Sequence, residues 1–189
     1  ALAACGQQAF GENYLQEAIG KIQSLTDRSP KLVWHFIGQL QSNKTRPVAE
    51  HFDWVHTVDR FKIAERLSQQ RSPHAPPLQV CLQVKLGDEA TKAGVTPAEL
   101  PALLRAVAAL PRLQIRGLMA LPPAERDENA QRHWFAELRQ LLVTCRQEFP
   151  GLDTLSMGMS ADLTAAILEG STLIRVGTAL FGERLQSPS

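Results

Sequence analysis

The sequence is poor in the residues that would commit it to a disulfide framework, a metal or a membrane. Its 189 residues hold three cysteines, Cys5, Cys81 and Cys145, widely spaced and without a CxxC pair. An odd, scattered set excludes a disulfide scaffold and fits a reducing, cytoplasmic setting. The five histidines show no metal-ligand spacing, so no metal site is expected. The formal net charge is only +1, which gives no electrostatic argument for nucleic acid or a membrane surface as partner. No apolar run approaches the length of a bilayer span, and even "LLRAVAAL" is broken by Arg105. No GxGxxG follows any candidate strand, which removes the dinucleotide fingerprint.

What remains is an ordinary globular composition, 44% hydrophobic and 21% charged, enough for one sizeable core in a single domain over residues 1–189. Short apolar runs alternate with longer amphipathic ones. The expected strands are Gln8 to Gly11, Leu32 to Gly38, Trp54 to Val58, Leu78 to Leu86, Leu113 to Ala120, Thr154 to Met157 and Leu173 to Val176. "TPAELPALLRAVAAL" has a helix-start signature, with Thr96 as N-cap, Pro97 at the first helical position and Glu99 completing a capping box. From Asp127 to Phe149 the apolar residues Trp134, Phe135, Leu138, Leu141, Leu142, Cys145 and Phe149 recur at three and four, a helical period. The Pro-rich stretches "SPHAPP" and "LPPAERD" read as loops between elements.

Repeated βα units imply a parallel sheet with helical crossovers, either an open doubly wound sheet or a (β/α)₈ barrel. Seven candidate strands are one short of a barrel. The opening "ALAACGQQAFGEN" reads as the last turns of a helix, capped by Gly6 and running into a strand. The expectation is an α/β, TIM-type (β/α)₈ barrel whose first strand and most of whose first helix precede residue 1.

Barrel sites lie at the C-terminal ends of the strands, with phosphate commonly bound by the loops after strands seven and eight. "SMGMSADLTAAILEG" and "RVGTALFG" would be those loops. Arg175 sits in an apolar strand, where a guanidinium needs an acceptor or an anion. Two readings stand for it: a ligand contact, or a structural pairing with a neighbouring carboxylate. Ser160, at a helix start, either caps that helix or joins Gly177 and Thr178 in holding a phosphate.

"FGENY", "WHFIGQLQSNK", "HTVDR", "GLMAL", "SMGMSAD" and "GSTLIRVGTALFGER" occur in the order seen in the pyridoxal phosphate homeostasis proteins. The chain resembles that family from Phe10 to Arg184, with the alanine racemase N-terminal-like barrel that the family has. The resemblance implies pyridoxal 5'-phosphate as cofactor. Ser160, Gly177 and Thr178 would take its phosphate, Arg175 would face the pyridine nitrogen, and Asn13 would sit at the edge of the ring. His35 and Met119 are weaker candidates for lining the pocket.

The family's Schiff-base lysine lies on the first barrel strand and is expected upstream of residue 1, so no catalytic residue is assigned in this chain. Lys44, Lys85 and Lys92 read as solvated surface lysines. The function implied is that of a cytoplasmic, monomeric carrier and buffer of pyridoxal phosphate, not an enzyme, passing it transiently to apo-enzymes that use it. The alternative is an amino-acid racemase, for which the single Tyr14 offers no evident second base. A phosphosugar-processing barrel enzyme is a third possibility, but the strand ends hold mostly Gly, Gln and Asn.

Overall fold

A computed structural model describes residues 2–28, 30–87 and 92–182. Each short β-rich run of the sequence pairs with the run before it. The strands are β1 (Ala9–Glu12), β2 (Val33–Phe36), β3 (Trp54–Val58), β4 (Leu78–Val84), β5 (Leu113–Ala120) and β6 (Thr154–Ser156). They form one sheet, parallel throughout, in the order β1-β2-β3-β4-β5-β6. A doubly wound sheet reverses its strand order at a switch point. This one adds every strand on the same side, as a barrel wall does, so the open-sheet reading is set aside.

The crossovers carry helices α1 (Leu15–Ser24), α2 (Thr45–His51), α3 (Phe61–Gln70), α4 (Leu100–Ala108), α5 (Glu128–Arg146), α6 (Leu163–Leu168) and α7 (Thr178–Phe181). Two of their starts are written in the sequence. Thr96 and Glu99 form the capping box, each backbone N–H donating to the other's side chain at 3.3 Å, although regular helix begins only at Leu100. Asp127 caps α5 by accepting from the Ala130 N–H at 2.9 Å. Ahead of β1, a turn of 3₁₀ helix (Leu2–Cys5) ends at Gly6, as the opening residues suggest.

Period two along the strands sorts the sheet into unlike faces. Val55, Val80, Leu82, Leu118 and Leu155 turn toward the helices and pack with Ile63, Leu67, Leu104, Phe135 and Leu138 in one hydrophobic cluster. The other face carries His35, His56, Cys81, Gln83, Met119 and Ser156, all buried yet outside that cluster. This inner face is largely polar, unlike the apolar face that the helices cover.

The seventh expected strand does not form as such. Leu173 makes a single parallel bridge to Ser156, and residues 174–177 are irregular. Side-chain hydrogen bonds add to the few backbone bonds that join the two segments. Thr172 Oγ1 accepts from the Leu155 N–H at 2.8 Å, and Ser171 Oγ donates to Met157 O at 2.7 Å. Serine and threonine compete with strand pairing in this way. A propensity count over "STLIRV" does not register the effect.

Candidate functional site

All six strands run the same way, so their C-terminal ends share one rim of the sheet. Asn13 follows β1 at this rim. It lines a cleft of about 440 Å³ with Phe36, Gln39, Gln41 and Lys44. The glycine after β2 holds Asn13 in place: a Cβ on Gly38 would run into the Asn13 carbonyl oxygen, so only glycine lets the two backbones pass so closely.

The loop after β6 and the segment 173–178 lie side by side. Met157 N–H donates to Leu173 O at 3.2 Å, and Arg175 N–H donates to Gly158 O at 2.9 Å. Gly158 makes the turn at φ +93°, where a Cβ would also come within 2.5 Å of Ala166 Cβ. Ser160 follows in a turn and is exposed. It is not the cap of α6. Regular helix starts at Leu163, and Asp162 closes the turn by accepting from the Met159 N–H at 2.6 Å. Ser160 thus lies two residues ahead of the helix cap, which is Asp162. Gly177 and Thr178, also exposed, open α7.

Between these loops and the sheet lies Arg175. Nη1 donates to Ser156 Oγ at 2.8 Å and Nη2 to Ala120 O at 3.1 Å. Among the described residues no carboxylate forms an ion pair with it. Burial pulls its guanidinium down to about 10, against the attraction of Asp162. It stays protonated at neutral pH and remains a cation that meets only neutral acceptors.

The inner face continues downward from Arg175 through Ser156, His56 and His35. Burial lowers His35 to about 4, opposed by Asp53. His56 lies well below its ordinary value, first through burial and then through the nearby His35 and Arg175. Burial pushes the Cys81 thiol up to about 12, so it is neutral and inert. Met119 is fully buried on β5, in register with Ser156. His56 and Ser156 escape the sequence reading. Their signal is a polar residue inside an otherwise apolar strand, His56 in "WVHTV" and Ser156 in "TLS".

The bond from Arg175 N–H to Gly158 O sets Arg175 beside the loop that leads to Ser160, with Gly177 and Thr178 following in the chain; His35 and Met119 lie on the inner face of the sheet, and Asn13 lies at the rim beside β2. The last residues of the "GSTLIRVGTALFGER" motif, Glu183 and Arg184, lie outside the described residues, as does the tail of the 1–189 domain.

Known proteins share this arrangement. The sequence matches the family described as alanine racemase, N-terminal domain, over residues 1–185. It is 60% identical over 181 residues to the pyridoxal phosphate homeostasis protein of Pseudomonas aeruginosa, covering 96% of this chain and 76% of that protein. PipY of Synechococcus elongatus, solved with PLP bound, superposes with a TM-score of 0.87 at 46% identity, over 95% of this chain and 84% of the other. Alanine racemase from Corynebacterium glutamicum shares the fold at a TM-score of 0.71 and 16% identity, over 93% of this chain and 48% of that one. The chain therefore belongs to the alanine racemase N-terminal domain family, among the pyridoxal phosphate homeostasis proteins.

Proposed function

We propose that this chain binds pyridoxal 5'-phosphate and acts as its carrier and buffer, without robust catalysis of its own. The observation that carries the reading is Arg175, a half-buried cation whose side chain is hydrogen-bonded, among the described residues, only to a serine and a backbone carbonyl. A ligand ring nitrogen beside it would supply the acceptor that the protein does not. The names of the relatives and the PLP bound to PipY support the same ligand.

Ser160 and the N–H groups of Gly177 and Thr178 hold the phosphate, and Asn13 meets the edge of the ring. When bound, pyridoxal phosphate supplies an electron-accepting ring and an aldehyde. Arg175 weakens the first of these, because a permanent donor beside the ring nitrogen keeps that nitrogen unprotonated. The chain then favours holding the cofactor over amino-acid chemistry with it. The sheet described here forms part of the wall of a single-domain (β/α)₈ barrel, and no residue of this chain is assigned to attach the cofactor. The protein is a cytoplasmic monomer that passes the cofactor transiently to apo-enzymes.

Titration of the full-length protein with pyridoxal phosphate, followed by absorption, tests the reading. Saturable binding that is weakened at least tenfold in Arg175→Gln supports it. Absence of binding, or rapid racemisation of alanine by the loaded protein, overturns it.

A further inference from the structure

Three buried polar groups and the half-buried Arg175 meet across the inner face of the sheet. Arg175 Nη1 donates to Ser156 Oγ at 2.8 Å; Ser156 Oγ lies 2.7 Å from His56 Nδ1; His56 Nε2 lies 2.9 Å from His35 Nδ1. The far end is anchored by stacking. The His35 ring lies on Trp54, with centroids 5.2 Å apart and planes at 16°, and Arg116 sits 4.9 Å from the Trp54 ring centroid.

Donor accounting gives the chain a direction. A guanidinium can only donate, so Ser156 accepts from Arg175. Ser156 is fully buried, and among the described residues its hydroxyl meets only Arg175 and His56. If His56 Nδ1 also donated, the serine proton would have no acceptor, and an unmade buried donor is more costly than the bond it replaces. The serine therefore donates to Nδ1. His56 carries its proton on Nε2 and donates it to His35 Nδ1. The polarity runs away from the cation, the sense in which successive bonds strengthen one another. Both rings are neutral, as this direction requires.

A carboxylate could also hold Arg175 in place, but it would offset the charge. A neutral chain fixes the guanidinium and leaves its charge for the ligand. We propose that His56 and His35 are positioning residues for Arg175: the Arg175–Ser156–His56–His35 chain orients the Ser156 hydroxyl and so fixes the guanidinium that meets the pyridine nitrogen of a bound cofactor. This inference rests on the assignment of Arg175 to that nitrogen.

The test uses the full-length protein labelled with ¹⁵N in its histidine rings. Long-range ¹H–¹⁵N spectra report the tautomer, and absorption reports pyridoxal phosphate affinity, with inorganic phosphate as a competing probe. His56 is expected as the Nε2–H tautomer, with Nδ1 a hydrogen-bonded acceptor. Ser156→Ala should lose that Nδ1 signature and bind pyridoxal phosphate about five- to tenfold more weakly, the loss of roughly one neutral hydrogen bond. Its affinity for inorganic phosphate should not change, and Ser156→Thr should restore both readouts. In case Ser156→Ala does not fold, His56→Leu should give the same selective weakening and His56→Gln, which keeps an acceptor and a donor, should recover it. An Nδ1–H tautomer at His56 overturns the proposal, as does wild-type cofactor affinity in folded Ser156→Ala or His56→Leu protein. Wild-type affinity in Arg175→Gln would overturn the ring-nitrogen assignment and the positioning role with it, while the tautomer result would stand.

Discussion

Gly177 offers a perturbation that separates binding from folding. A Cβ built there meets no atom within 4 Å, and the backbone sits at φ −117°, outside the left-handed region. Gly177→Ala should therefore leave stability within about 0.5 kcal/mol of wild type, a shift of no more than roughly 2 °C in melting temperature. The same open space is where a phosphate would rest against the N–H groups of Gly177 and Thr178. A methyl group there displaces the oxygen from one charge-assisted hydrogen bond, worth roughly 1.5–3 kcal/mol. Affinity for pyridoxal phosphate should then fall about 10- to 150-fold. Absorption titration and thermal melting of the same full-length sample read the two quantities separately. Wild-type affinity in the variant would refute the phosphate cup. A drop of many degrees without ligand would show instead that the space is not open.

Ser160→Ala removes one hydroxyl that α6 does not need, so cofactor affinity should fall on the order of tenfold, about 1.4 kcal/mol, with no change in unfolding; a destabilised variant would mean the hydroxyl is structural. Gly38→Ala drives a methyl group into the Asn13 carbonyl and should cost about 2–3 kcal/mol in urea unfolding, whereas a neutral result would mean the β1 and β2 ends can separate freely. Stability should also depend on pH through His35. Its unfolded value is about 6.5 and its folded value about 4, so its contribution is complete above pH 6.5 and declines as pH falls toward 4, by about 3 kcal/mol. Urea unfolding between pH 7 and 4.5 checks this, with His35→Gln as control. A slope equal in both proteins contradicts it.

The strands were legible because all six fill the expected runs to within two residues at each end, as with Trp54–Val58 and Leu113–Ala120. The capping box at Thr96 and Glu99 was legible for the same reason, since its chemistry is local. The segment 173–176 was misread because Ser171 and Thr172 bond the chain from their side chains, an effect set by a neighbour fifteen or so residues away. Ser160 lies two residues before the cap of its helix, because regular helix begins only after Asp162. Arg175 stood out locally, as a guanidinium in an apolar run that needs an acceptor. The two histidines beneath Arg175 required the three-dimensional sheet: His56 and Ser156 are 100 residues apart in the chain.

That separation has a kinetic consequence. A sheet built in chain order lets each βα unit dock on the one already made, so synthesis and folding can proceed together without waiting for a distant partner. The bond between His56 and Ser156 is different in kind, because it cannot form until β6 has joined the sheet. Arg175, beyond β6, arrives later still. A nascent chain that has not yet reached these last elements carries most of the hydrophobic core but neither Arg175 nor the hydroxyl that it bonds.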